Sequence, residues 1–156
     1  MAEKSSDPNR EVVVEHVCKA RAAAVFKAWT DPKHVALWWG PRGFSNPVCD
    51  WDARAGGEIR IHMQGPDGTI HPMIGVFREV VRPQRLVFTS SLLDKDGEPI
   101  FEVLHTVTLV GNGATTRVTV QSRVLHATAA ADRYLPGMEQ GWAQSLERLA
   151  ESTQAA

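Results

Sequence analysis

His62, His71 and His105 are the side chains in this 156-residue sequence whose spacing first invites a chemical reading. His62 and His71 flank the turn Gly65-Pro66-Asp67-Gly68, and pairing Gln64 with Thr69 sets His62 directly across the hairpin from His71. Two imidazoles placed side by side in that way are within reach of one metal ion or one acidic ligand. Their neighbours on that face, Glu58, Arg60 and Gln64, describe a solvated surface, and neither a third ligand nor a familiar ligand spacing accompanies them. No metal is assigned there. His105 alternates with Phe101, Val103, Val107 and Leu109, which puts it on an apolar strand face. A histidine so placed is either a hydrogen-bonded core residue or the polar group that orients a ligand or moves a proton. His16, His34 and His126 have no comparable surroundings.

Nucleophilic chemistry finds little support. There is no Gly-x-Ser-x-Gly elbow, no phosphate-cradling glycine loop and no dinucleotide fingerprint. The carboxylates Asp50, Asp52, Glu58 and Glu79 are scattered over strands and turns, and Glu79 reads as an ion-pair partner of Arg82 or Arg85. No catalytic residue and no cofactor is therefore assigned. Apolar contact is better represented. Trp38 and Trp39 are adjacent and cannot share one helix face, so one is expected in the core and the other at a loop or cavity mouth. With Phe44, Met63, Met73, Phe88, Phe101, His105, Met138 and Trp142 they form the candidate wall of a ligand site. Thioethers and aromatic rings suit an apolar guest, though they fill cores as readily.

The elements that must position these residues can be read from periodicity. After Leu135 the apolar residues fall at Met138, Trp142, Leu146 and Leu149, one face of a helix that runs to Glu151 and needs an apolar partner. Pro136 and Gly137 predict a kink or break just before Met138, and Gly141 predicts close approach of the helix backbone to a strand. Glu11 to Cys18 reads as a first strand, with Val12 and Val14 opposed to Val13 and Val17. Ala20 to Trp29 has helical spacing, and Asp31-Pro32 caps a second short helix ending at Trp38 before Gly40-Pro41. From residue 47 onward the period is two: strands are expected over 47–53, 58–64, 70–81, 85–91, 100–110 and 115–125. Gly75 inside the third of these predicts a bulge or a close approach. Short turns throughout make the sheet antiparallel, with the helices on one side of it. A strongly curled sheet around one long helix leaves a gap at one end, the kind of place that holds small ligands.

Composition restricts the choices further. Hydrophobic residues make up 43% and charged ones 22% of a chain with net charge −1, and the basic residues are scattered. That excludes a nucleic-acid footprint and a polybasic membrane patch. No apolar run is long enough for a membrane span, and Met1 to Arg10 lacks the apolar centre of a signal peptide. Cys18 and Cys49 make neither a disulfide framework nor a zinc motif, so they are read as core thiols of a reduced, cytoplasmic protein. The organisation expected is a flexible N-terminus over 1–9 and a single domain over 10–152. Exposed edge strands leave both monomer and homodimer open.

The order strand, helix, helix, six strands, long helix resembles the helix-grip superfamily, which includes START-type lipid carriers and polyketide cyclases. Within it the chain is similar to the branch named for the activator of the ninety-kilodalton heat-shock chaperone's ATPase. The residues that carry the resemblance include Ala28 to Pro32, Leu37 to Pro41, Gly56-Gly57, Gly65 to Gly68, Gly75, Glu79 and Pro83 to Leu86. Gly137-Met138, Gly141-Trp142, Ser145-Leu146 and Leu149 complete it. The resemblance implies an α+β helix-grip fold: a curved antiparallel sheet of six or seven strands around a long C-terminal helix, with two short helices after the first strand. It implies binding of a small hydrophobic or aromatic ligand, or stimulation of a heat-shock chaperone in a stress response, or a cyclase- or hydrolase-type reaction in the same cavity. Fold alone does not choose among these.

Overall fold

The structure, a computed structural model, describes residues 10–154. The flexible N-terminus expected over 1–9 lies outside the described residues. The first strand, β1 (Glu11–Cys18), buries Val12 and Val14 and leaves Val13 and Val17 half exposed, as its alternation requires. Helix α1 (Ala22–Thr30) turns Val25, Phe26, Ala28 and Trp29 inward. Helix α2 (Pro32–Trp38) begins where the Asp31 carboxylate accepts a hydrogen bond from the Lys33 N–H at 3.0 Å, with proline at the first helical position.

Six further strands follow: β2 (Ser45–Trp51), β3 (Glu58–Gln64), β4 (Ile70–Val81), β5 (Arg85–Leu93), β6 (Pro99–Asn112) and β7 (Thr115–Ala127). They form one antiparallel sheet in the order β1-β7-β6-β5-β4-β3-β2. Register shifts interrupt the β2/β3, β4/β5, β5/β6 and β6/β7 pairings, and each such irregularity adds local twist and bend. Pro47 sits at the shift in β2, an edge strand, where a missing N–H is tolerated. The C-terminal helix, α3 (Met138–Gln154), packs along β1 and against α2 and buries Trp142, Ser145, Leu146, Leu149 and Thr153. This is the α+β helix-grip architecture, with seven strands. Among the described residues no helix is long and apolar enough to cross a membrane.

Two local expectations need correction, and a third is met in one of its two alternatives. The residues of the Gly65 hairpin form a three-residue loop, because Gly65 N–H bonds the Thr69 carbonyl and Gly68 takes φ +86°. Pro66-Asp67 makes a type I turn and Gly68 supplies the left-handed residue. Gln64 consequently pairs with Ile70, Met63 with His71 and His62 with Pro72. One residue of slip puts His62 and His71 on opposite faces, so they cannot share a ligand. Second, a Cβ at Gly141 would lie nearest to Pro41, at 3.8 Å, and the strands are farther away. Third, Gly75 is a point of close approach, where a Cβ would stand 1.9 Å from the Thr89 carbonyl oxygen; the bulge in β4 falls later, between Phe77 and Glu79.

The core divides in two. The larger cluster gathers all five tryptophans with Phe77, Phe88 and the aliphatic stripe of α3. A smaller one, around Leu92, Ile100, Val103, Val124, Ala131 and Leu135, lies under two 3-10 turns, Ala129–Arg133 and Leu135–Gly137. The anticipated break at Pro136-Gly137 falls in the second of these turns, directly before α3.

Candidate ligand-binding cavity

Because α3 begins only at Met138, the chain before it descends to the sheet as short turns, and a space opens between the two clusters. It has a volume of about 280 Å³. Concave residues of β3 to β6 form its floor: Met63, Met73, Ser90, Leu92, Val103 and His105. Trp142, Met138, Gly141 and Ser145 of α3 form one wall, and Tyr134, Leu135 and Gly137 another. The segment after α2, Trp39-Gly40-Pro41, is the lip, with Phe44 beyond it.

Of the ten residues singled out from the sequence, Trp39, Phe44, Met63, Met73, Phe101, His105, Met138 and Trp142 line this space. Trp38 and Phe88 do not. Trp38 is the last residue of α2 and fully buried; its indole N–H donates to the Ala28 carbonyl at 3.0 Å, and its ring stands edge-on to Trp29 at 4.5 Å. Trp39 has already left the helix, at φ −65° and ψ 131°, which re-aims its side chain toward Trp142, 5.4 Å away. Phe88 lies one layer deeper, behind His105 at 4.9 Å and against Trp51 at 5.2 Å. Sequence reasoning missed His71, Ser90, Leu92, Tyr134 and Ser145. Ser90 and Leu92 are two and four residues from Phe88, so the period-two rule could have found them. His71, whose ring is 6.0 Å from Phe44, needed the correct hairpin register.

The lip is tied down from α3. Arg148 donates to the carbonyls of Leu37, Trp39, Gly40 and Pro41 at 2.8 to 3.2 Å, satisfying one carbonyl of the last turn of α2 and three in the segment after it. Ser145 Oγ accepts from Gly40 N–H at 2.9 Å, and Gln144 Oε1 accepts from Arg42 N–H at 3.0 Å. Burial lowers the Arg148 pKa, with the Arg42 charge adding to the effect. Arg42 itself pairs with Glu151 at 2.6 Å on the outer surface.

His105 is buried, with Ser90 Oγ 2.7 Å from Nε2 and Ser122 Oγ 2.7 Å from Nδ1. Trp142 stands edge-on to its ring at 5.3 Å. Desolvation pushes its pKa down to about 3, so it is neutral at physiological pH. No Lys, Arg, Asp or Glu among the described residues lines the cavity. Among the described residues no group of three potential metal-ligating side chains is found. Such a space can hold an apolar body and offer it a few neutral hydrogen-bonding groups.

Solved structures share this architecture. A protein from Nitrosomonas europaea is 26% identical over 93% of this chain and 94% of its own, with a TM-score of 0.75. One from Chromobacterium violaceum is 27% identical over 92% and 96%, with a TM-score of 0.75. The AHSA1 protein of Silicibacter pomeroyi is 24% identical over 94% and 99%, with a TM-score of 0.81, a likeness of fold. No curated protein matches the chain. The family model described as Activator of Hsp90 ATPase homolog 1-like protein matches residues 19–154, and the chain belongs to that family.

Proposed function

We propose that this protein binds a small hydrophobic or aromatic compound in the cavity between α3 and the sheet. The observation that carries this reading is the space itself: about 280 Å³, walled by indole, phenyl and thioether groups, with no Lys, Arg, Asp or Glu lining it among the described residues. Its size sits at the lower end of small-molecule pockets. A cytoplasmic setting accords with Cys18 and Cys49, which are separate free thiols.

A binding role is preferred to catalysis for a physical reason. With its pKa near 3, His105 is a weak general base at neutral pH, whatever its distance from Ser90. The family description supports a second reading, stimulation of a heat-shock chaperone's ATPase. Adding the protein to such a chaperone and following ATP turnover separates the two, and unchanged turnover is the expected result.

Native mass spectrometry of the purified protein, followed by melting in the presence of lipids and aromatic compounds, tests the main proposal. A ligand at one hundred times its Kd stabilises by about 2.7 kcal/mol, which for a domain of this size raises Tm by roughly 5–10 °C. Ligand-free samples together with no compound raising Tm would sink it.

A further inference from the structure

The hydrogen bonds of His105 limit what chemistry the cavity can recognise. Resting on the binding function proposed above, we infer that the guest is an uncharged, ring-bearing compound whose carbonyl- or ether-type oxygen accepts the hydroxyl hydrogen of Ser90. A neutral imidazole has one N–H and one bare nitrogen, so of its two serine partners one donates and the other accepts. The accepting serine is left with a hydroxyl hydrogen to place elsewhere. Ser122 is fully buried with no partner besides His105 among the described residues, so as the acceptor it would strand a buried donor. Ser90 borders the cavity, where a guest can take its hydrogen. The chain therefore runs from Ser122 O–H to Nδ1, and from Nε2–H to Ser90 Oγ, with Ser90 O–H aimed at the guest.

Ser145 adds a second donor. Its Oγ already accepts from Gly40 N–H, and its own hydrogen has no acceptor among the described residues. Donors thus meet the guest from both floor and wall, in a space that no Lys or Arg among the described residues lines to balance an anion. A carboxylate entering it would lose its water without gaining a counter-charge. A hydrocarbon would enter but leave the Ser90 hydrogen unpaired.

Two measurements test this. Long-range ¹H–¹⁵N correlation on the unliganded protein reads the His105 tautomer directly: protonated Nε2 with bare Nδ1 is expected, and the reverse overturns the inference. Calorimetry at about pH 8, where imidazoles are ordinarily neutral, then compares three naphthalenes of matched shape bearing an acetyl, an ethyl or a carboxylate group at the 2-position. The acetyl compound is expected to bind about fivefold tighter than the ethyl one, the worth of one hydrogen bond. The carboxylate should be weaker than the ethyl compound by roughly tenfold or more. Ser90→Ala should abolish the acetyl preference and keep ethyl binding. If the ethyl compound binds and the acetyl binds no tighter, or the carboxylate binds best, the inference fails while the cavity reading stands. If none of the three binds while another lipid or aromatic compound raises Tm, the inference fails and the cavity reading stands; if no compound of either kind does, both fail.

Discussion

His105 owes its charge state to where the fold puts it. In an unfolded chain an imidazole titrates near 6.5, whereas burial holds this one at about 3. Between those values the unfolded chain binds a proton that the folded one refuses. The contribution of His105 is therefore complete above about pH 6.5 and falls as pH drops toward 3, with a slope approaching 1.4 kcal/mol per pH unit. Urea unfolding at pH 7 and pH 5 should find the wild type weaker at pH 5, and His105→Gln should show a shallower dependence. Equal pH dependence in the two proteins would contradict this account. The Cys18 thiol follows the same physics: burial raises it to about 11, so it stays protonated and unreactive at neutral pH. Iodoacetamide should label it only after denaturation.

At the scale of elements, two contacts fix the cavity's shape. Arg148 spans from α3 to the Leu37 carbonyl of α2 and to the carbonyls of the lip that follows it, so Arg148→Ala should cost about 1–3 kcal/mol in chemical denaturation. It should also weaken ligand binding by releasing the lip. Gly75 lets β4 and β5 approach at Thr89, where any side chain would meet backbone. Gly75→Ala should cost about 3 kcal/mol or prevent folding, whereas Gly137→Ala, with open space around it, should stay within about 0.5 kcal/mol of the wild type. Elements of this kind were largely legible beforehand. The boundaries of β1, β3 and β4 and the cap of α2 follow from alternation, Pro66-Asp67-Gly68 and Asp31-Pro32. The register was not, because counting a loop as three residues or four depends on whether Gly65 pairs with Thr69, and composition does not say.

The whole molecule is a sheet gripping a helix that starts too late to fill it. Gly141 sits at the wall of the remaining space, and the nearest group from elsewhere in the fold that a β-carbon there would meet is the Pro41 ring, at 3.8 Å. Gly141→Leu should improve helix propensity by roughly 0.5–1 kcal/mol and at the same time abolish ligand binding. A variant that melts no lower than the wild type and still binds would show that the guest lies elsewhere. The sequence alone determined the elements, their antiparallel order and the apolar stripe of α3, since these rest on short-range periodicity and on turn residues whose backbone preferences are intrinsic. It also marked the break at Pro136-Gly137. Only the tertiary structure decided which of two neighbouring indoles reaches the cavity, that His71 faces Phe44 and not His62, and that His105 hangs between two serines. The first depends on where α2 ends; the other two depend on register and on the direction in which each strand's side chains meet those of distant segments, and a shift of one residue in register reverses both.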